Sequence, residues 1–384
     1  MYFDLTQEQQ MIRQAVREFA QKEIAPRARE VDEMGEFPAA TFRKMGELGL
    51  MGIPFAEEFG GAGADSLSAA IAVEEVARAC GSTALAYSAH MGLGSAPIAL
   101  FGSQEQKRAF LKPAAEGKYL AAFGLTEPHA GSDAGATRTT ARLEGDEWVL
   151  NGAKMWITNA PIAGHIIVTA VTDAEKGKNG ISAIIVPGGT PGMSFGKYEP
   201  KMGLRGSVST AITLEDVRVP RQNLLGGRGR GFTQFLQVLD GGRVGIGAMA
   251  IGLAQAACEA ASVYAKERTA FGKPIGAYES ISNMIADMVT GIEAAQLMVY
   301  QAAWLKDQGR PFAKQAAMAK LFASEMAEKT CRDAIQVFGG YGYSQEFPVE
   351  RIYRDQRLLT IGEGTSEILR VVIGRHVLGG FVGN

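Results

Sequence analysis

One acidic residue near the C-terminus lies in a setting that could support chemistry. Glu363 stands between Gly362 and Gly364 and is followed by Thr365 and Ser366. This pattern predicts the N-terminus of a last helix, where free backbone N–H groups favour anionic groups such as a pyrophosphate. On these residues alone, Glu363 is better explained as an acid that interacts favourably with the helix dipole.

Two segments in the middle of the chain combine hydroxyl, aromatic and small residues. Residues 124–136 read GLTEPHAGSDAGA and are predicted to form a short irregular loop after a strand. Main-chain N–H groups of such a loop can hold an anion or a planar heterocycle, although an ordinary connecting loop explains the composition equally well. Trp156 and Thr158 are two residues apart, which predicts one face of a strand, but a core tryptophan beside a strand threonine has the same spacing.

A third pattern is misleading. Gly245, Gly247 and Ala250 fit the GxGxxA pattern of dinucleotide-binding loops, but they lie in a predicted helix with no strand before it. Small residues that let helices pack closely, or that leave room for a ligand, explain this pattern better. A metal site is not predicted, because none of the 4 histidines lies within a turn of another and the 3 cysteines form no CxxC pair.

Length and composition indicate an ordinary globular protein. The chain has 384 residues, of which 46% are hydrophobic and 21% charged, so it can form two or three domains and is not disordered throughout. A formal charge of -2 does not favour nucleic-acid binding. The N-terminus resembles neither a signal nor a transit peptide, and the longest apolar run, residues 244–258, is too short to span a membrane. With cysteines expected as buried free thiols, these features predict a soluble cytoplasmic protein, or a mitochondrial matrix protein if the chain is a processed eukaryotic one.

The period of the hydrophobic pattern changes twice along the chain. Helical spacing in the first part, with capping boxes beginning at Thr6 and Ser103, gives way to period-two runs and then returns after Gly231. We therefore predict an α+β protein, and its middle sheet should be antiparallel because the connections are too short for βαβ crossovers. The predicted domains are an N-terminal α-helical domain (1–118), a middle antiparallel β domain (119–228) and a C-terminal helical bundle (229–384). The predicted strands lie at 137–143, 147–150, 165–171, 181–186 and 210–214, and the long C-terminal helices at 232–266, 280–308 and 312–338.

Taken together, six ordered motifs resemble those of the acyl-CoA dehydrogenase family of flavoproteins over essentially the whole chain. The resemblance implies the three-part fold described above, with a C-terminal four-helix bundle, assembled as a homotetramer or occasionally a dimer. It also implies FAD bound between the β domain and the bundle and reaching a neighbouring subunit. The motifs are GLTEPHAGSDAGA at 124–136, WIT at 156–158, LDGGR at 239–243, RTAFGKPI at 268–275, QVFGGYGYSQEFPVERIYRD at 336–355 and GEGTSE at 362–367.

The resemblance also implies roles for individual residues. Trp156 would cover the flavin ring and Thr158 would bond near flavin N5. Tyr278-Glu279 stands where many relatives have Phe-Gln, which leaves a cofactor contact from Glu279 open. The residues expected to bind FAD are Leu125, Thr126, Ser132, Trp156, Ile157, Thr158, Arg268, Phe271, Gln336, Gly339, Gly340, Thr365 and Glu367, and those from Arg268 to Gly340 would approach the cofactor of a neighbouring subunit. The residues expected to contact acyl-CoA are Ser132, Asp240, Arg243 and Gly364, although Asp240 and Arg243 could equally form an intrahelical pair.

Glu363 is the base that the resemblance implies for dehydrogenation of an acyl-CoA thioester to the trans-2-enoyl-CoA. It would take the proton from Cα while flavin N5 accepts the hydride from Cβ, and burial would raise its pKa from about 4.3 toward the working pH. Its backbone N–H and a flavin ribityl hydroxyl would donate to the thioester oxygen, as in the family. Some relatives carry the base at the position of Gly242, where a glycine cannot serve.

Electron-transferring flavoprotein is the electron acceptor that the resemblance implies. The alternatives are an acyl-CoA oxidase, which the modest chain length disfavours, and a flavin monooxygenase, which Glu363 disfavours. A non-catalytic scaffold or nucleic-acid-binding relative is disfavoured by the near-zero charge and by Glu363. The DGGR motif and the small residues at 241–252 favour a short, branched or medium acyl chain, although small residues also simply allow close helix packing.

Overall fold

The N-terminal part of the chain is helical, as its apolar spacing predicts. The computed structural model describes residues 4–379, so the outermost ends of the first and last predicted domains lie outside it. Both predicted capping boxes are confirmed: the Thr6 hydroxyl accepts from the Gln9 backbone N–H at 3.2 Å, and Ser103 and Gln106 form the same pair. The helices are α1 (Gln7–Phe19), α2 (Ala28–Met34), α3 (Ala39–Glu47), α4 (Ser66–Ala79), α5 (Gly81–Ala89), α6 (Ala96–Phe101), α7 (Gln104–Gln106) and α8 (Lys112–Ala115), and a π-helical segment, His90–Ser95, continues α5.

A seven-stranded sheet follows, in the spatial order β1-β4-β2-β3-β7-β6, with β5 paired to β4. The antiparallel prediction is confirmed for most pairs, but the single bridge between β2 and β4 is parallel. The full pairing of β1 with β4 is also parallel. A parallel pair needs a long connection, and the β2–β3 hairpin that lies between these strands in the chain supplies it. The strands are β1 (Leu120–Gly124), β2 (Thr140–Glu144), β3 (Glu147–Thr158), β4 (Ala163–Val171), β5 (Ile181–Pro187), β6 (Met193–Phe195) and β7 (Ser209–Pro220).

The C-terminal part is a helical bundle built around one long helix. All three predicted long helices are present within two residues of their expected ends. A two-stranded hairpin separates the first two of them. The elements are α9 (Gly231–Glu267), β8 (Thr269–Ala270), β9 (Lys273–Pro274), α10 (Glu279–Asp307), α11 (Ala313–Phe338), α12 (Val349–Gln356) and α13 (Ser366–Leu378).

Helix α9 is the central element of the fold. It packs against α4 of the N-terminal helices and against α10 and α11 of the bundle. By length and composition it is the one helix in the described part of the chain that could cross a membrane, but 72% of its apolar window is buried inside the protein, as is typical of a core helix. Cys80, Cys258 and Cys331 are buried free thiols in this helical core, as predicted.

The glycines of the misleading GxGxxA pattern are explained by close packing on α9. A β-carbon at Gly245 would lie 2.6 Å from Ser88 Oγ on α5, and one at Gly247 would lie 2.7 Å from Cγ2 of Val299 on α10. Gly252, just beyond the pattern, behaves in the same way, because a β-carbon there would lie 2.2 Å from the carbonyl oxygen of Glu74 on α4. These distances are shorter than van der Waals contact, so only glycine lets the neighbouring helices approach α9 this closely.

Candidate functional site

The segment that carries Glu363 is a sharp turn that leads into α13. Glu363 has a φ of 52° and Gly364 a φ of 96°, so two consecutive residues have left-handed backbone conformations. Such a conformation costs a non-glycine residue about 1–3 kcal/mol and persists where the surroundings enforce it. Thr365 is the N-cap of α13, with its hydroxyl accepting from the Ile368 backbone N–H at 3.3 Å, which confirms the predicted helix start.

This turn directs the Glu363 carboxylate onto the backbone of α9. A β-carbon at Gly242 would lie 2.2 Å from Glu363 Oε2 and 3.4 Å from Leu93 Cδ2. The carboxylate therefore lies where a side chain at position 242 would begin. The two positions at which the resemblance implies a base thus lead to the same point in space, and in this chain the glycine leaves that point to Glu363.

The environment of Glu363 suits a general base. Its Oε2 atom is shielded from solvent and has no hydrogen-bond partner within the described structure. Burial raises the pKa of Glu363 to about 7, while the positive charges of Lys320 and Arg243 act in the opposite direction. A carboxylate with a pKa near neutrality and a free oxygen can both accept and release a proton at physiological pH. We call Glu363, Gly242, Leu93, Arg243 and Lys320 the base pocket.

Of the four residues predicted to bind substrate, Arg243 belongs to this pocket, and Asp240 and Gly364 lie next to it. Arg243 is 4% exposed and donates from Nη1 to Asp240 Oδ1 at 2.6 Å, so the intrahelical pair that the sequence allowed is present. Burial raises the pKa of Asp240, against the charge of Arg243. Gly364 follows the base directly, whereas Ser132 is exposed in the loop between β1 and β2.

A second group of predicted residues meets where β1 ends beside β3. The Met155 backbone N–H donates to the Thr126 carbonyl at 2.8 Å, and the Thr158 hydroxyl lies 3.4 Å from that of Ser209. Trp156 is 57% exposed, so the alternative of a core tryptophan is wrong for this residue. Its φ of 62° coincides with a shift in the pairing of β3 with β7, and this bulge turns the indole outward. We call Leu125, Thr126, Trp156, Ile157 and Thr158 the β1–β3 junction.

A buried ion pair fixes the geometry of this junction. Lys154 Nζ donates to Glu127 Oε1 at 2.7 Å and to the Leu125 carbonyl at 3.2 Å. The Glu127 carboxylate also accepts from the backbone N–H groups of Arg138 and Thr139. Burial lowers the pKa of Lys154 to about 8, although Glu127 opposes this change. Both side chains are almost inaccessible, so each charge depends on the other for its compensation.

We expect Lys154→Met to lower the free energy of unfolding by about 3–5 kcal/mol, because it leaves the buried charge of Glu127 unpaired. Affinity for the FAD that the resemblance implies should fall with it, since the Leu125 carbonyl loses its donor. Thermal denaturation and titration of the apoprotein with FAD measure the two effects. Lys176→Met is the control, because Lys176 makes a solvent-exposed pair with Asp173 at 2.7 Å that should contribute less than about 1 kcal/mol. Equal losses in the two variants would contradict this role of Lys154.

Segment 92–94 connects the base pocket with the strand that leads to the β1–β3 junction. Leu93 belongs to the base pocket, and a β-carbon at Gly92 would lie 3.8 Å from Cα of Gly242. On the other side, a β-carbon at Gly94 would lie 2.5 Å from Cβ of Ala121 on β1. The fold thereby joins residues that are more than two hundred positions apart in the sequence.

These surroundings fit a planar cofactor with a phosphate group. The β1–β3 junction offers an exposed indole, backbone groups and the Thr158 hydroxyl beside Ser209. The start of α13 supplies backbone N–H donors near Thr365, and Glu367 is exposed in its first turn. Within residues 4–379, no group of three or more His, Cys, Asp or Glu side chains is placed to hold a metal ion.

The remaining predicted cofactor residues lie elsewhere on the chain. Arg268 and the pair Gly339 and Gly340 line an open cleft of about 600 Å³, where the Arg268 guanidinium lies 5.7 Å from the centre of the Tyr341 ring. Gln336 is exposed nearby on α11, and Phe271 is 97% exposed at the tip of the β8–β9 hairpin. Helical rise along α9 separates Gly242 from Arg268 by roughly 38 Å. One chain therefore does not bring this group to its own base pocket.

Sequence reasoning missed two lysines of this site. Lys154 and Lys320 are both fully buried, against the usual behaviour of lysine. A signal for Lys320 was available, because it shares the helical phase of the buried residues Ala316, Ala323 and Ala327. Lys154 lies in β3, where the bulge interrupts the alternation of buried and exposed side chains. The sequence pattern therefore does not indicate that Lys154 is buried.

Family models match almost the whole chain. The acyl-CoA dehydrogenase N-terminal domain matches residues 6–118, the middle domain residues 122–217 and the C-terminal domain residues 229–378. A probable acyl-CoA dehydrogenase of Bacillus subtilis is 59% identical over 98% of this chain and 100% of its own length. A short-chain specific acyl-CoA dehydrogenase of Clostridium acetobutylicum is 48% identical with the same coverage.

Solved structures agree with these relatives. Butyryl-CoA dehydrogenase from Megasphaera elsdenii has a TM-score of 0.97 and 44% identity, covering 98% of this chain and 100% of that chain. A chain from a structure of the electron transferring flavoprotein of Acidaminococcus fermentans has a TM-score of 0.98 and 47% identity, covering 99% and 100%. An acyl-CoA dehydrogenase from Bacillus anthracis, solved with FAD, has a TM-score of 0.93 and 36% identity, covering 98% and 68%.

Proposed function

The chain belongs to the acyl-CoA dehydrogenase family of FAD-dependent oxidoreductases, and from this premise we propose that it converts a short-chain acyl-CoA thioester to the trans-2-enoyl-CoA, with Glu363 as the base. The observation that carries the proposal is the buried, partnerless Oε2 atom of Glu363 against Gly242. A proton acceptor with no competing hydrogen bond is what removal of the weakly acidic α-hydrogen of a thioester requires.

The base pocket adjusts Glu363 for this task. A glutamate with its ordinary pKa of about 4.3 is too weak a base, and burial raises the pKa to about 7. Lys320 and Arg243 stop the pKa from rising further, so that a useful fraction of the carboxylate stays ionised at neutral pH. The Glu363 backbone N–H is the donor that we assign to the thioester oxygen, where negative charge develops as the α-proton leaves.

FAD, the cofactor of this family, supplies the acceptor for the hydride that leaves Cβ. We assign the β1–β3 junction, with Trp156 for its ring, and Thr365 and Glu367 at the start of α13 to holding it. Arg268, Phe271, Gln336, Gly339 and Gly340 are assigned to the cofactor of a neighbouring subunit. The distance of roughly 38 Å along α9 between Arg268 and Gly242 supports this division.

The proposal of a short acyl chain rests on the packing beside the base pocket as well as on relatives named short-chain specific or butyryl-CoA dehydrogenase. Segment 88–92 packs along α9, with Gly92 next to Gly242 and Ser88 next to Gly245. Near Gly242 two glycines face each other, whereas a β-carbon at Gly245 would lie 2.6 Å from Ser88 Oγ. We therefore assign Ser88, where α5 and α9 come into close contact, to the end of an acyl pocket that begins beside Glu363.

We expect Ser88→Gly to shift the preference from butyryl-CoA toward hexanoyl-CoA and octanoyl-CoA by roughly tenfold, because each added methylene in an apolar pocket contributes about 1 kcal/mol or more. Ratios of kcat/KM across a thioester series measure the shift. Ser82→Gly is the matched control, since Ser82 is also a buried serine of α5, with its hydroxyl accepting from the Gly206 backbone N–H. An unchanged length profile in Ser88→Gly would contradict the assignment of Ser88 to the end of the acyl pocket.

Electron-transferring flavoprotein is the electron acceptor that we propose, and a homotetramer is the assembly. The chain that resembles this protein in the Acidaminococcus structure supports the acceptor. Exposed apolar side chains along α10, including Leu297 and Trp304, support an assembly that covers them. Hydrogen peroxide formation in air would identify an oxidase instead, and light scattering measures the assembly. Cytoplasmic localisation remains a prediction.

Anaerobic mixing of the FAD-loaded protein with acyl-CoA thioesters of increasing length tests the proposed function. Butyryl-CoA should bleach the visible absorbance of the flavin, and the product should be crotonyl-CoA. Protein that binds FAD but is not reduced by any thioester of the series would contradict the proposal. Purified protein without flavin would favour a non-catalytic role.

A further inference from the structure

The strongest unassigned feature of the molecule is the buried ammonium group of Lys320. The residue is 0% exposed on α11, although lysine is almost never fully buried without a partner. Its Nζ atom donates to the carbonyl oxygen of Gly364 at 2.7 Å. This carbonyl belongs to the residue that follows Glu363, in the turn where both residues have positive φ.

We propose that Lys320 is a positioning residue for the base: its ammonium group holds the 363–364 turn in place and keeps the Glu363 carboxylate ionised. The inference rests on the proposed role of Glu363. A hydrogen bond from a cation to a backbone carbonyl is stronger than one between neutral groups, so it can maintain a strained turn. Because the same group carries a positive charge, it also favours the charged form of the neighbouring acid.

The charges around Glu363 support this assignment. Two positive charges lower the pKa of Glu363, and that of Lys320 on α11 has a larger effect than that of Arg243 on α9. Arg243 is already paired with Asp240 at 2.6 Å, whereas the hydrogen bond of Lys320 goes to a neutral carbonyl. Glu325 and Glu367 face Lys320 from α11 and α13, and both are exposed. Burial lowers the pKa of Lys320 itself to about 8, and Glu363 opposes that change.

Two variants of the FAD-loaded full chain separate the two effects of Lys320. Lys320→Met removes both the charge and the donor with little change in volume. Lys320→Gln removes the charge but keeps an N–H donor, and it serves as the second variant if the first fails to fold. Lys329→Met is the matched control, because it is the same change on the exposed face of the same helix.

The first measurement is the pH dependence of flavin reduction by saturating butyryl-CoA. In the unmodified protein, the rate should fall as the pH drops through about 7, where Glu363 takes up a proton. In Lys320→Met and Lys320→Gln this acid limb should move to higher pH by about one unit, because an opposite charge has been removed from the carboxylate. Lys329→Met should keep the acid limb of the unmodified protein.

The second measurement is hydrogen–deuterium exchange of a peptide that spans residues 361–366, which needs no turnover. Exchange should be at least about tenfold faster in Lys320→Met, because the turn loses its buried tether. An acid limb in Lys320→Met at the pH of the unmodified protein would overturn the proposal, as would unchanged exchange. Failure of every thioester to reduce the unmodified protein would instead contradict the proposed function, and the exchange result would still report on the tether.

Discussion

Replacing Glu363 with glutamine is expected to leave FAD bound and to slow flavin reduction by butyryl-CoA by about 10²–10⁴-fold. Glutamine has almost the same shape as glutamate, so the contact with Gly242 and the turn into α13 should persist. It cannot accept a proton, however, and no other acid lies in the base pocket as we define it. The ratio of flavin to protein absorbance measures cofactor retention, and stopped-flow absorbance measures the rate of reduction.

Glu33→Gln is the control for this experiment. Glu33 is a surface acid on α2 that pairs with Arg29 at 2.7 Å, with 52% of its side chain exposed. Its replacement makes the same chemical change away from the base pocket and should leave the rate unchanged. Near-normal reduction of Glu363→Gln would refute Glu363 as the base, and loss of FAD from that variant would show instead that the residue acts in cofactor binding.

Gly242→Ala is expected to lower the rate of flavin reduction by about 10²-fold while the protein remains folded. Alanine in place of a helical glycine normally stabilises a helix by about 0.5–1 kcal/mol. Here its β-carbon would lie 2.2 Å from Glu363 Oε2, so the carboxylate has to move by an ångström or more. A misplacement of that size is enough to disrupt proton transfer. Reduction kinetics and thermal denaturation together distinguish displacement of the base from loss of the fold.

The neighbouring glycine provides a matched comparison. A β-carbon at Gly241 would meet only Lys306 Nζ, at the ordinary contact distance of 3.5 Å. Gly241→Ala therefore brings the same gain in helix propensity without contact with Glu363, and it should retain most of the activity. If the two alanine variants behave alike, then the position of the Glu363 carboxylate does not depend on the missing side chain at 242.

Much of the architecture follows from local patterns in the sequence. The periods of 3.6 and 2 separate helices from strands, and α9, α10 and α11 begin and end close to the predicted residues. The parallel pairing of β1 with β4 was not predicted, because pairing direction depends on how distant strands meet and not on the alternation within either one. Trp156 shows the same limit, since the bulge in β3 that exposes it leaves no trace in hydrophobic spacing.

The site was predictable as a set of residues but not as a geometry. Glu363 is marked by its glycine neighbours and by the family resemblance, yet the sequence does not reveal that its carboxylate meets Gly242. That contact depends on two successive positive φ angles and on the packing of α13 against α11, which are long-range outcomes. The buried lysines 154 and 320 were overlooked for a related reason, since a lysine in the sequence is normally solvent-exposed and only the fold shows that these two are enclosed.

The contact between positions 242 and 363 also restricts how this protein can evolve. A larger side chain at 242 would occupy the same volume as the Glu363 carboxylate. A substitution at 242 that comes first therefore produces an enzyme of low activity as an evolutionary intermediate. Relocation of the acid to the long helix would have to begin with a loss at 363, and the reverse change with a loss at 242. Related sequences are thus expected to have either glycine at 242 with glutamate at 363, or a larger residue at 242 without glutamate at 363.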